Sequence, residues 1–139
     1  MNSKPLRVLA PVLALLLVTA CGSMGAQRSP RDQTLYTYVS AVRWSDFEAA
    51  RSFIDPEVLR TQPVTDFEME RYKQFQVAGY EVKGASEPGE GLYEQVVELR
   101  VVNRNTQVER IITDRQQWRW DAEAKRWWLV SGLPDLDAR

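Results

Sequence analysis

Leu92–Asn103, LYEQVVELRVVN, is the stretch that decides the fold. Tyr93, Val97, Leu99 and Val101 fall on one side of an extended chain, and Glu94, Glu98 and Arg100 on the other. Successive side chains of a strand point to opposite faces, so a period of two separates a covered side from a wet one. Such alternation describes an antiparallel sheet with one covered face. From Phe75 onward the chain is rich in valine, isoleucine, tyrosine and tryptophan, broken by turn signals. Four strands are expected, over 75–86, 92–103, 107–120 and 126–132. Pro88-Gly89 marks the first connection, and Asn103 to Thr106 and Asp121 to Lys125 close the next two hairpins.

Upstream of this half the period changes. Leu35, Tyr38, Val39 and Val42 recur at i, i+3, i+4 and i+7, one apolar stripe of a helix. Ser45-Asp46-Phe47-Glu48 reads as a capping box opening a second, short helix with Phe47, Ala50 and Ile54 inward. Asp55-Pro56 is expected to stop it, because the residue before proline disfavours the helical region. Thr65-Asp66-Phe67-Glu68 is a second capping box, opening a third helix through about Lys73. Three helices followed by a meander make an α+β domain, with the helices packed on the covered face.

Tyr38-Val39-Ser40-Ala41-Val42-Arg43-Trp44-Ser45-Asp46-Phe47-Glu48-Ala49-Ala50 resembles the opening of nuclear transport factor 2-like domains. Their usual form is an aromatic and aliphatic helix, then Gly-Asp-Leu/Phe-Glu-Ala-Ala, then Pro-Glu. Ser45 stands where glycine is common, and Pro56-Glu57 follows Asp55. Trp120, the turn, Trp127-Trp128 and Leu133-Pro134 are similar to the ends of such domains. The resemblance runs in order over about residues 31–134 and implies a curved sheet wrapped around a long helix, a cone with a pocket.

The same family includes ketosteroid isomerase. There a tyrosine on the first helix donates to a developing oxyanion, an aspartate shuttles the proton, and a protonated carboxylic acid assists. Laid on that pattern without gaps, Tyr38 falls at the oxyanion tyrosine. The base, kept in an Asp-Pro-Val run, meets Gln62-Pro63-Val64. Glutamine has no usable basic lone pair near neutral pH and cannot abstract a proton. The resemblance therefore supplies a scaffold without its best-known chemistry, and the third position is not assigned.

Two other groups are candidates. Arg110, Asp114 and Gln116 share a strand face with Val108, Ile112, Trp118 and Trp120. They line a polar patch within the cone, or else lie on the open sheet face or at a subunit contact, since a bulge would swap the faces. Trp118, Trp120, Trp127 and Trp128 straddle a hairpin. Cross-strand aromatic packing accounts for them; a protein interface is the functional alternative, because tryptophan is enriched in binding hot spots.

The N-terminus reads as an address. Lys4 and Arg7 precede a mainly apolar run from Val8 to Ala20, too short to span a bilayer comfortably, which takes about 20 residues. This is the pattern of a secretory signal. Val18-Thr19-Ala20-Cys21 resembles the bacterial lipobox, an aliphatic residue, two small residues and cysteine. The resemblance implies cleavage before Cys21, diacylation of its thiol and often acylation of the new amine. Two or three acyl chains anchor stably where one is marginal. The alternative is a buried or incidental cysteine at the end of an uncleaved helix. Gly22 and Ser23, rather than an aspartate, follow Cys21, which favours the outer membrane over inner-membrane retention. Residues 1–20 are then the signal, 21–30 a lipidated cysteine and small polar tether, and 31–139 the domain.

Composition limits the function. The 139 residues carry 18 basic and 19 acidic side chains and no histidine. Without Lys4 and Arg7, the mature chain keeps sixteen basic residues against nineteen acidic. No basic footprint for nucleic acid is present, and histidine triads, histidine metal sites and an internal disulfide are excluded. No cofactor and no metal are expected. The chain reads as an envelope lipoprotein, lipid-anchored at the outer membrane and facing the periplasm, acting as a non-catalytic binding or scaffolding module. Alternatives are carriage of a small apolar ligand or lipid, and an enzyme using Tyr38 and a carboxylate. The partners expected are the membrane, an envelope protein and a second copy through the sheet.

The lipobox reading has a direct test. Cys21→Ser should abolish incorporation of labelled fatty acid and leave uncleaved precursor on a gel. Undiminished acyl labelling of that variant overturns the lipoprotein assignment.

Overall fold

The computed structural model describes residues 27–138. The expected signal, Cys21 and the part of the expected tether through residue 26 lie outside the described residues. Helix α1 spans Pro30–Arg43, α2 Phe47–Arg51, α3 Pro56–Thr61 and α4 Asp66–Tyr72. Strands β1 (Phe75–Ser86), β2 (Leu92–Asn103), β3 (Glu109–Asp121) and β4 (Arg126–Leu129) form one antiparallel sheet in the order β1-β2-β3-β4. The domain is α+β, as the change of period requires.

Two expectations about the helices are corrected. There are four rather than three: α2 already ends at Arg51 with Ser52 as its C-cap, and Asp55-Pro56, expected to stop it, instead starts a further helix. The Asp55 side chain accepts from the Glu57 N–H at 2.8 Å, and Pro56 sits in the first turn, where its missing N–H costs nothing. The cap of α2 is Asp46, not Ser45, and accepts from the Ala49 N–H at 3.0 Å. Ser45 instead takes a φ of 59°, the left-handed region that favours glycine, and its hydroxyl accepts the Val77 N–H at 2.9 Å. That bond ties the end of α1 to β1. The Thr65 capping box forms as expected, with both reciprocal bonds.

The strands follow the expected periods with small changes of bound. β3 begins at Glu109 rather than 107, and β4 ends at Leu129 rather than 132. In β2 Gln95, Val97, Leu99 and Val101 are buried, and in β3 Ile112, Asp114, Gln116 and Trp118 are. The second set settles which face of β3 is covered: it is the one that carries the polar candidates. β1 slips register twice, between Val77 and Gly79 and between Val82 and Gly84, and such bulges bend a strand.

The helices and sheet meet over Tyr38, Val42, Phe47, Ala50 and Ile54 on one side and Val97, Leu99, Val101, Trp118 and Leu129 on the other. Tyr38 is 0% exposed and stands edge-on to Trp118, ring centroids 5.0 Å apart, and to Phe53 at 5.7 Å. Edge-to-face aromatic pairs add about 0.5–1.5 kcal/mol beyond the area they bury. The link between α2 and α3 joins the sheet: Asp55 N–H donates to Leu129 O at 2.9 Å, and Leu129 N–H to Phe53 O at 2.8 Å. Burial alone would raise the Asp55 carboxyl. The Arg119 guanidinium and the Glu57 N–H together outweigh it and hold Asp55 below the usual carboxylate range.

The Tyr38 hydroxyl is buried without a hydrogen-bond partner among the described residues. Leaving a buried polar group unpaired costs about 1–3 kcal/mol. Tyr38→Phe should therefore match or exceed the wild type in denaturant midpoint at unchanged m-value. Tyr38→Ala should lose about 3–5 kcal/mol by opening a cavity. A Phe variant that loses more than about 1 kcal/mol would show that the hydroxyl is satisfied in solution.

Candidate functional site

Two regions hold the candidate residues: a polar seam inside the domain and a cleft at its side. The seam arises because β1, β2 and β3 each place polar side chains on the covered face. Gln116 Nε2 donates to Asp114 Oδ2 at 2.7 Å, and Gln95 Nε2 donates to Gln116 Oε1 at 2.6 Å. The Tyr80 hydroxyl receives Gln95 Nε2 and Gln116 Nε2, each at 3.1 Å. Tyr93 closes the seam, its hydroxyl donating to Gln95 Oε1 at 3.3 Å. Burial raises the Asp114 carboxyl above its ordinary value, against the opposing effect of the Gln116 bond. Burial, and then the nearby Asp114 charge, push Tyr38 well up, so its proton is firmly held. Tyr72 and Tyr80 are also raised, chiefly by burial.

The cleft opens elsewhere. It encloses about 440 Å³ between α3, α4 and the segment after β4. Its apolar lining comes from Ile54, Val58, Val64, Phe75, Leu133 and Leu136. Gln62, Glu68, Arg71, Asp135 and Asp137 add polar groups. The segment after β4 is held against the helices by the Tyr72 hydroxyl, which donates to Pro134 O at 2.9 Å, and by an Arg71–Asp137 ion pair. Pro134 and Leu136 are buried by this docking.

The structure brings Tyr38, Asp114 and Gln116 into one interior layer but separates them from Gln62. Gln62 is the exposed C-cap of α3 and lines the cleft, whose lining includes neither Tyr38 nor Asp114. Arg110 is half-buried, its guanidinium 5.9 Å from the Phe75 ring centre. Four residues along an extended strand put it about 13 Å from Asp114. Trp118 is 1% exposed and belongs to the core. Trp120 and Trp127 pair across the hairpin at 5.8 Å, while Trp128 donates to Asp121 at 3.2 Å and lies under Arg126. Cross-strand aromatic packing thus accounts for Trp120 and Trp127, two of the four, while Trp118 packs in the core and Trp128 against Arg126.

Sequence reasoning missed Gln95, Tyr80 and the segment after β4. Gln95 was detectable, since it falls in phase with Tyr93 and Val97 on the apolar face. Among the described residues no cluster of three or more metal-ligating side chains occurs, and no helix is long and apolar enough to cross a membrane. No family model, curated protein or solved structure matches this chain.

The seam makes a pH-dependent prediction. A carboxyl raised in the folded state binds its proton more tightly there than in the unfolded chain. Its burial therefore costs nothing below the unfolded carboxylate range, and stability falls as pH rises through the folded value. Asp114→Asn should raise the melting temperature at pH 7 by a few degrees, the scale of about 1 kcal/mol in a domain of this size. The gain should shrink toward zero near pH 3. Thermal unfolding across that range checks it, and a pH-independent gain would mean that Asp114 titrates normally.

Proposed function

We propose that this chain is a lipid-anchored envelope protein whose domain is a non-catalytic binding module. The observation that carries the reading is the filled interior. Tyr38, the residue matched to the oxyanion donor, spends its ring on Trp118 and Phe53 and is wholly enclosed. The order of helices and then a bulged four-stranded meander is compatible with a nuclear transport factor 2-like cone. In this chain side chains occupy the place where such a cone would take a substrate. The side cleft is open, with its apolar lining and charged residues. It suits an extended partner segment that buries a few aliphatic side chains and leaves its polar backbone at the rim.

Carriage of a small apolar ligand is the second reading, favoured by the aliphatic lining of the same cleft. Both need no cofactor. The outer sheet face is a poorer place for a second copy. It carries Lys83–Glu98 and Arg100–Glu109 ion pairs, and such exposed pairs add little to an interface.

A photo-crosslinking residue placed at Gln62 in the full chain, in living cells, separates these readings. The binding module gives a discrete protein adduct from position 62, none from Thr113 on the outer face, and none once Leu133→Asp spoils the lining. Adducts to lipid alone favour the carrier. Isomerisation of a β,γ-unsaturated ketosteroid by the wild type overturns the non-catalytic reading.

A further inference from the structure

The outward face of α1 is not explained by the core, the seam or the cleft. Tyr36, Ser40, Arg43 and Trp44 lie along it at helical spacing, and Val39, inward by its sequence period, is half-buried at its border. With Val77 and Ala78 of β1 they line a shallow groove of about 490 Å³. Trp44, at the C-cap, is 83% exposed and Tyr36 is 61% exposed. An indole and a phenol left this open, eight residues apart on one helix face, are an unusual expense of aromatic surface.

We propose that this face rests on an anionic phospholipid surface, with Trp44 and Tyr36 at headgroup depth. The proposal rests on the reading of the chain as lipid-anchored, and three observations select this occupant. The described chain begins on the face itself: the Arg28 guanidinium lies 4.3 Å from the centre of the Tyr36 ring. Arg28 lies seven steps along the chain from Cys21, and an extended chain advances at most about 3.6 Å per residue. An acylated Cys21 therefore keeps this face within about 25 Å of the bilayer. Second, the chemistry matches the interface. Tryptophan and tyrosine concentrate at the headgroup level, where an amphipathic ring has one apolar side and one wet side. Third, the charge at the groove is basic: Arg28 and Arg43 flank the aromatics, while Asp32, one turn before Tyr36, shares the Arg31 guanidinium with Glu87. Basic groups beside an anionic leaflet are attracted within a Debye length.

With α1 lying flat, a helix of 14 residues lays about 21 Å of its length along the bilayer.

The test uses full-length, lipidated protein in vesicles of phosphatidylethanolamine and phosphatidylglycerol, with lipids brominated near the top of the acyl chains. Bromine should quench the tryptophan emission of the wild type, and most of that quenching should vanish in Trp44→Phe, a change at an exposed site. An Arg28→Glu/Arg43→Glu variant should lose quenching on anionic vesicles while remaining vesicle-bound through its acyl chains. Equal quenching of the wild type and Trp44→Phe, with Trp44 open to aqueous acrylamide, overturns the docking and leaves the anchor intact. Shielding from acrylamide that grows with protein density, without bromine quenching, assigns the face to a second copy and also overturns it. A chain that does not associate with vesicles at all overturns the anchor, and the docking with it.

Discussion

The edge-on contact of Tyr38 with Trp118 joins the two halves of this protein. One ring comes from the first helix and the other from the third strand, eighty residues later. Such a contact forms only when the helical layer lies over the sheet at a fixed height. Once it is made, Phe53 is drawn against the same pair, which places the α2–α3 link beside β4. The packing of the core, the route of the link and the position of the side cleft all depend on that stack. In the reading proposed above, the enclosed rings of Tyr38 and Trp118 stand where the family resemblance would look for a substrate.

Much of the fold was legible because it rests on periodicity. The alternation of β2, the stripe through Leu35, Tyr38 and Val42, and the Thr65 capping box each report a local rule that tertiary structure did not override; Val39, expected in the same stripe, instead borders the outward groove. The misreadings occurred where one residue serves two rules. Asp55-Pro56 was read as an ending because proline disfavours helix before it; the same proline favours helix after it. Ser45 was read as a cap from its hydroxyl. Its positive φ gives the capping role to Asp46, and the hydroxyl serves β1 instead. A glycine at that position would take the φ more easily but could not accept the Val77 N–H.

The candidate site was less legible than the fold. Asp114 and Gln116 were identified by phase alone, and their inward placement followed from β3 keeping its register with β2. Their bonding to Gln95 and Tyr80 depends on which strands lie side by side, which periodicity does not encode. Ungapped spacing matches Gln62 to the base position and Tyr38 to the oxyanion position of one pocket. The extra helix α3 takes Gln62 to the cleft instead. The segment after β4 has no period of its own, and its burial follows from Tyr72 and Arg71 holding it down.

The pairing of Phe53 and Asp55 with Leu129 has an effect beyond packing. A sheet ends in two strands whose outer N–H and C=O groups are templates for another chain. Here the α2–α3 link covers part of one margin, and the two bulges of β1 disrupt the regular spacing of the other. At high local concentration, open margins would zip neighbouring copies together. Closing one and deforming the other works against edge-to-edge pairing between copies of the chain.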